Sequence, residues 1–166
     1  MKKNDFAQYV SSFLTGYLAG TRNLSANTIV SYRDAFVILI TFMNEKYSIR
    51  PEKLGIQDFS PERIKEFMDY LETEHGNSIA TQNQRLVAIH SFFRYISTQD
   101  PEYLFVSQQI LAIPEKKKEQ KPVKHFETDQ VRELLASPDT HTSHGRRDQA
   151  LLCLLYDSGC RVQELA

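Results

Sequence analysis

The sequence predicts an all-α protein, and three observations lead to that prediction. Glycine and proline are scarce, at six residues each in a chain of 166. Apolar side chains recur every three or four residues along several long stretches, which is the period of an amphipathic helix. Hydrophobic residues make up 41% of the chain and charged residues 25%, which is usual for a globular protein with a buried core. We therefore predict a small bundle of four to five helices, followed by a further helical piece.

The helices of this bundle are predicted over residues 5–18, 25–46, 60–74, 78–98 and 101–110. Ser25 and Ser78 are typical N-caps, and Pro61 suits the first position of the third helix. Residues 36–40 of the second helix are all apolar, so we expect that stretch to be buried on every side. The core face of the fourth helix is predicted to comprise Ile79, Leu86, Ile89, Phe93 and Ile96. Phe92 lies at the margin of this face and is the one phenylalanine considered for contact with a ligand.

Residues 114–125 are predicted to be an interdomain linker, because they are polar, basic, flanked by proline and without a period. This divides the chain into domains at 1–113 and 126–166. In the second domain, Thr128 is predicted to cap a helix that ends at Ala136, and a strongly apolar helix follows over residues 147–157. Gly159 is expected to end that helix in the left-handed conformation. Another helix begins at Arg161 and is only one turn long, so we expect this domain to be incomplete.

The charges are unevenly distributed, although the formal net charge is only −1. Residues 78–99 contain no acidic residue, and residues 25–44 contain only Arg33 and Asp34 as charged groups. The acidic side chains gather instead at Glu62, Glu66, Asp69, Glu72 and Glu74. A protein that holds a polyanion on one side is expected to have this pattern, with its acidic groups turned away.

Other classes of protein are disfavoured by the composition. The first residues lead into no uncharged apolar stretch, and no window is expected to span a membrane. Cys153 and Cys160 have no pairing framework and are expected to be reduced thiols, and no metal site is predicted. We expect a cytoplasmic protein.

A resemblance to a known family becomes specific at residues 147–165, RDQALLCLLYDSGCRVQEL. This stretch resembles the tyrosine recombinase motif RDxALLxLLYxTGLRxxEL, with Ser158 and Cys160 as mild departures. Residues 24–34 and 81–95 resemble the family's second and fourth helices, and residues 114–135 resemble its hinge and the first helix of its catalytic domain. The chain thus resembles a tyrosine recombinase of the phage integrase family, closest to its Xer-like members. The resemblance covers a SAM-like core-binding domain and the start of the catalytic domain.

The resemblance implies a site-specific recombinase that cuts and rejoins DNA through a 3′-phosphotyrosyl intermediate, without cofactor or metal. It implies that Arg161 is the first catalytic arginine, which stabilises the phosphorane-like transition state, and that Glu164 supports it. In the family the His-x-x-Arg pair and the nucleophilic tyrosine come after the stretch with which this sequence ends, so the chain as given is expected to bind DNA but not to cleave it. The implied partners are double-stranded DNA and, on DNA, other copies of the full-length protein; neither a membrane nor a small-molecule substrate is implied.

DNA contact is predicted along the polar faces of the second and fourth helices and along the linker. On the fourth helix the polar face is predicted to include Ala88 and Tyr95, whose neighbours carry hydroxyl, amide and guanidinium groups able to reach phosphates or base edges. The candidate DNA-binding residues are Asn27, Thr28, Ser31, Arg33, Thr81, Gln84, Arg85, Ser91, Arg94, Lys116, Lys117, Lys118 and Lys121.

Each of these residues also has a structural interpretation. Arg161 could be a surface arginine and Glu164 a capping carboxylate, while the polar faces and the lysine run could be ordinary solvated surface. His90 is interpreted as a packed histidine. Two other functions remain open: a stand-alone helical DNA-binding regulator and a helical protein-interaction module. Salt-dependent binding to duplex DNA would exclude the second of these, because it follows from neutralised phosphates.

Overall fold

The computed structural model describes residues 4–117 and 125–165, and no β-strand occurs among them, which confirms the all-α prediction. Three 3-10 turns, at Pro51–Lys53, Ile56–Asp58 and Pro101–Tyr103, lie between the helices. In chain order the helices are α1 (Phe6–Ser11), which continues as a π-helix (Ser12–Thr21), α2 (Ala26–Tyr47), α3 (Pro61–Thr73), α4 (Ile79–Gln99), α5 (Leu104–Leu111), α6 (Thr128–Ala136), α7 (Ser143–Ser158) and α8 (Val162–Leu165).

The chain divides into two compact units, Met1–Glu119 and Gln120–Ala166. The first contains α1 to α5 and the second contains α6 to α8. The division falls within the segment predicted as a linker. The functions predicted for the two domains are not tested by this division and stay predictions.

Serine N-caps begin α2, α3 and α4. The hydroxyl oxygens of Ser25, Ser60 and Ser78 each accept a hydrogen bond of 3.3 Å from the backbone N–H three residues later. Each cap satisfies a donor that the helix leaves free at its first turn. The predicted starts of α2, α3 and α4 are therefore confirmed.

Two helix starts in the second unit were predicted wrongly. The N-cap of α6 is Glu127 rather than Thr128, and its backbone N–H donates to the Gln130 side-chain oxygen at 3.0 Å. Helix α7 begins at Ser143, before the predicted start, because the Thr142 hydroxyl caps it by accepting from the Gly145 N–H at 2.9 Å. Gly159 ends α7 with a φ of +63°, as predicted.

The first predicted helix differs most from expectation, because its second half is a π-helix. Phe13 and Leu18 are both buried, at 0% and 1% exposure, although they lie five positions apart in the sequence. Five residues in an α-helix turn the chain well past one full revolution, whereas the i→i+5 hydrogen bonds of a π-helix bring such residues close to one face. The wider helix thus buries both side chains.

The core of the first unit is rich in phenylalanine. Phe92 is fully buried, and its ring centroid lies 5.1 Å from that of Phe36 and 5.4 Å from that of Phe13. The suggestion that Phe92 is available for a ligand is therefore wrong. Ala88, predicted on the exposed face of α4, is also buried, at 1% exposure. The predicted inner face of α3 is confirmed, since Ile64, Phe67, Met68 and Leu71 are all buried.

Helix α2 is not buried on every side, because Val37 within its apolar run is 54% exposed. Its buried residues form one face, which comprises Ala35, Phe36, Leu39, Phe42 and Met43. By length and composition alone, α2 is apolar enough to cross a membrane, which corrects the expectation that no window is. Its packing in the hydrophobic core of the first unit also accounts for that composition.

The second unit has no apolar core among its described residues. Gly145 is the one buried residue in 125–164, and its backbone lies so close to that of Asp139 that a Cβ atom there would overlap it. Leu151, Leu154 and Tyr156 of α7 are all exposed. The apolar helix predicted for this region therefore exists, but α6 and α8 leave these three side chains uncovered.

Candidate nucleic-acid interface

Helices α2 and α4 enclose a groove with a volume of about 270 Å³, which we call the α2–α4 groove. Five of the predicted DNA-binding residues line it together: Asn27, Ser31, Thr81, Gln84 and Arg85. The groove is completed by Val30, Asp34 and Ala35. Predicted residues of α2 and α4, about fifty positions apart in the sequence, thus form one surface.

Hydrogen bonds hold the two sides of the groove together. The Gln84 side-chain amide nitrogen donates to the Ser31 hydroxyl across the groove at 3.0 Å. Thr81 and Thr28 occupy equivalent positions at the starts of α4 and α2, where their hydroxyls lie 3.1 Å and 2.9 Å from those of the N-cap serines. The caps therefore fix these hydroxyls near the ends of both helices.

Arg85 supplies a positive charge to the groove without an ion-pair partner among the described residues. Its side chain is half-buried, and Nη1 is shielded from solvent with no hydrogen-bond partner in that part of the chain. Burial lowers the pKa of Arg85, while the charge of Asp34 opposes this effect. Since arginine ordinarily titrates far above neutral pH, the guanidinium remains charged. A partly desolvated and unpaired guanidinium is well suited to bind an anion.

Arg33 differs from Arg85 because an acidic neighbour already pairs with it. Its Nη2 lies 3.1 Å from the Asp34 carboxylate, and both side chains are exposed. A pair of this kind contributes little to stability, so an anionic ligand could separate it at small cost.

Ser91 and Arg94 do not line the α2–α4 groove. They lie further along α4 at a second cavity of about 370 Å³, which Tyr17, Arg22 and Tyr32 also line. These last three residues were not predicted as site residues. Arg22 follows the π-helix directly, in a break between helices where no periodic pattern indicates its position.

The predicted linker lysines are not equivalent. The Lys116 ammonium lies 2.6 Å from the Glu72 carboxylate, and the Lys116 backbone N–H and carbonyl form hydrogen bonds of 3.0 Å and 2.7 Å with the Asn83 side chain. Lys117 is exposed. Lys118 and Lys121 lie outside the described residues.

Two acidic residues of α3, Glu66 and Glu72, form ion pairs with lysines of the first unit. Glu66 forms a 2.6 Å ion pair with Lys46 and accepts a hydrogen bond from the Tyr47 hydroxyl. The bond from Lys46 and then that from Tyr47 lower the pKa of Glu66. These acids are thus partly neutralised within the protein, while α4 carries none.

Arg161 and Glu164 contact each other at the start of α8. Glu164 accepts a bond of 2.8 Å from the Arg161 backbone N–H and one of 3.1 Å from its guanidinium. The carboxylate therefore both caps the helix and orients the arginine, so the two interpretations of Glu164 are compatible. The guanidinium is 85% exposed, and its catalytic role stays a prediction.

Comparison with known proteins gives a consistent family. Residues 12–102 match the family described as phage integrase, N-terminal SAM-like domain. Integrase/recombinase y4rC of Sinorhizobium fredii is 37% identical over 164 residues, which cover 99% of this chain and 49% of that protein. Tyrosine recombinase XerD of Listeria innocua is 32% identical over 155 residues, covering 90% of this chain and 48% of that protein.

Tyrosine recombinase XerC of Pelotomaculum thermopropionicum is 27% identical over 157 residues, or 95% of this chain and 50% of that protein. The chain spans about half the length of these relatives. No solved structure matches it. The match to the family domain covers more than half of the chain and includes residues 24–34 and 81–95, and the match to y4rC, which covers 99% of the chain, confirms the resemblance for residues 147–165 as well. The chain belongs to the phage integrase family.

Proposed function

We propose that this chain is the DNA-binding portion of a site-specific tyrosine recombinase, and that the α2–α4 groove contacts duplex DNA. The observation that carries the proposal is the convergence of Asn27, Ser31, Thr81, Gln84 and Arg85 on one groove. Family membership supports it, since several relatives are named tyrosine recombinases.

The chemistry of the groove suits a double helix. Amide and hydroxyl groups can bond to phosphate oxygens or base edges, and arginine can make two bonds to a guanine. Helix α4 carries no acidic residue over its whole length, so nothing on that helix repels the phosphates. Asp34, the one acidic group that lines the groove among the described residues, is paired with Arg33.

For the whole protein we propose two rounds of phosphoryl transfer through a 3′-phosphotyrosyl intermediate. The covalent link retains the energy of the broken phosphodiester, so the reaction needs no nucleotide. Arg161, oriented by Glu164, would stabilise charge that develops on the phosphoryl group in the transition state. In this proposal the first unit is the core-binding domain, the second is the beginning of the catalytic domain, and copies of the whole protein associate on DNA.

The binding proposal is tested by fluorescence anisotropy with a labelled duplex at several salt concentrations. We expect affinity to fall as salt rises, with a slope of about 0.9 per neutralised phosphate on logarithmic axes. Arg85→Ala should weaken binding by about 1–3 kcal/mol, or roughly 5- to 150-fold, if it contacts a base. Arg50→Ala is the matched control, because Arg50 is exposed in a loop and pairs with Glu52 at 3.5 Å.

Absence of salt-dependent binding would reject the proposal and favour a protein-interaction module. The catalytic part is tested separately, on protein expressed with any coding sequence that follows Ala166 in its reading frame. There, Arg161→Ala should abolish strand cleavage and preserve duplex binding. If the protein is a regulator that only binds DNA, neither the wild type nor the Arg161→Ala variant will cleave the DNA.

A further inference from the structure

The second cavity beside α4, which we call the arginine pocket, shares no lining residue with the α2–α4 groove. Its polar lining consists of His90 together with Tyr17, Arg22, Tyr32, Ser91, Arg94 and Glu115. These residues come from the π-helix and its end, from α2, from α4 and from the segment after α5. Because four separate segments contribute to this pocket, the polarity of one exposed helix face does not account for its two arginines.

The arginines of the chain divide sharply by their partners. Of ten arginines, seven have a partner among the described residues: Arg33, Arg50, Arg132, Arg147 and Arg161 pair with carboxylates, and Arg63 and Arg146 bond to backbone carbonyls. The guanidinium groups of the other three, Arg22, Arg85 and Arg94, have no hydrogen bond or ion pair in the part of the chain that the structure describes. Arg85 lines the α2–α4 groove, and the other two line the arginine pocket.

The walls of the arginine pocket are held in place by aromatic packing. The rings of Tyr17 and Tyr32 lie 5.8 Å and 6.2 Å from that of Phe13, which is fully buried. The Arg22 backbone N–H donates to the Tyr17 carbonyl at 2.8 Å, so the π-helix ties the arginine to the tyrosine. The tyrosine walls of the pocket are thus in place before any ligand arrives, which reduces the entropy lost on binding.

We propose that the arginine pocket binds a phosphate group. Two unpaired guanidinium groups can each direct N–H donors at phosphate oxygens, and the hydroxyls of Ser91, Tyr17 and Tyr32 provide further donors. Among the residues that the structure describes, Glu115 is the one acidic group in the lining, and its charge opposes an anion. Glu115 therefore lowers the affinity of the pocket without removing its positive balance.

Two sources could supply the phosphate. One source is the backbone of a duplex that lies on α4. This possibility rests on the proposed function, and the arginine pocket would then anchor the DNA at a site separate from the α2–α4 groove. The other source is a free phosphate-bearing molecule. The chemistry is the same, so the experiment has one arm for each source.

The first arm measures duplex binding by anisotropy across a salt series. Arg22→Ala and Arg94→Ala should each reduce the logarithmic salt slope by about 0.9, as expected when one phosphate contact is lost. Glu115→Gln should instead tighten binding severalfold. Arg50→Ala should leave the slope unchanged. Thermal melting of each variant checks folding, which we expect to be preserved because the Arg22 and Arg94 side chains are exposed.

The second arm titrates inorganic pyrophosphate into the chain and follows the side-chain Nε–Hε NMR signals of Arg22 and Arg94. The proposal would be supported by saturable shifts of both signals. The Arg22 shift should be lost in Arg94→Ala, and the Arg94 shift should be lost in Arg22→Ala. Shifts together with reduced salt slopes assign the phosphate to DNA, whereas shifts with unchanged slopes assign it to a free anion. Unchanged slopes and no pyrophosphate response would overturn the proposal.

The outcomes also separate this inference from the proposed function. Suppose that Arg85→Ala weakens duplex binding, but that neither the salt slopes nor the pyrophosphate titration shows an effect at Arg22 and Arg94. The proposed function is then supported and the phosphate site is rejected. If wild-type chain ignores duplex DNA but pyrophosphate still shifts the two arginine signals, the pocket stands and the proposed function fails.

Discussion

At the scale of single residues, Asn83 fixes where the chain leaves the bundle. Its side-chain amide pairs with both backbone groups of Lys116, and Lys116 also pairs with Glu72. The segment predicted as a linker from residue 114 is therefore held to the bundle as far as Lys116. Composition indicated a polar segment correctly, but it could not indicate that a distant asparagine binds the backbone.

Replacement of Asn83 by alanine should release this segment. Two partly buried hydrogen bonds are lost, so we expect the free energy of unfolding to fall by about 1–2 kcal/mol and the Lys116 amide to exchange faster. Urea denaturation and hydrogen–deuterium exchange measure these effects. Gln84→Ala is the control, since the Gln84 side chain is exposed and, within residues 4–117 and 125–165, bonds to Ser31 alone. An unchanged exchange rate at Lys116 would contradict the assignment.

His90 should make stability depend on pH. Burial is the largest effect and lowers the pKa of His90; the nearby charge of Arg94 lowers it further, while a bond to the Ile110 backbone and the charge of Glu115 oppose this. The folded state thus binds the proton less tightly than the unfolded state, whose pKa is near 6.5. The contribution is complete above that pH and is lost as pH falls through the lower, folded-state pKa.

We therefore expect urea denaturation to show a less stable protein at pH 5.5 than at pH 7.5, with a smaller difference in His90→Gln. Both proteins share every other titrating group, so the difference between them isolates this histidine. An equal pH dependence in the two proteins would show that His90 titrates alike when folded and unfolded.

At the scale of elements, the packing of α4 against α1, the π-helix and α2 depends on Phe92. Its ring meets those of Phe6, Phe13 and Phe36 at centroid distances of 5.5, 5.4 and 5.1 Å. Phe92→Ala should leave a cavity and lower the free energy of unfolding by about 3–5 kcal/mol. Phe105→Ala removes the same atoms from a side chain that is 72% exposed, and should cost far less. Similar losses in the two variants would be inconsistent with this core.

The helices were largely predictable because each leaves a local signal. Serine caps and apolar spacing placed α2, α3 and α4 within one or two residues of their observed bounds. A five-residue step between Phe13 and Leu18 carries no such signal, so the π-helix was not predicted. A continuous apolar run has no period either, which is why the exposure of Val37 was missed.

At the scale of the whole molecule, the two cavities beside α4 differ in how far sequence could reveal them. The α2–α4 groove is built from two helix faces, and each face shows its polarity in its own segment. The arginine pocket combines Arg22 from a helix end and Glu115 from an irregular segment with residues of the π-helix, α2 and α4. No single segment carries that combination, so only the tertiary structure brings it together.

The two compact units should also differ in local stability. Helix α4 has seven buried residues, whereas Gly145 is the one buried residue of α7 and its leucines at 151 and 154 are 37% and 52% exposed. Because the free energy of local opening reflects buried apolar contacts, and an isolated helix of this length is marginal in water, α7 should open far more readily. We expect its amides to exchange at least tenfold faster than those of α4, a difference of about 1.4 kcal/mol in opening free energy. Hydrogen–deuterium exchange measures both helices in one sample, so α4 is the internal control. Protection of α7 equal to that of α4 would mean that its apolar face is covered in solution, by contacts other than those with α6 and α8.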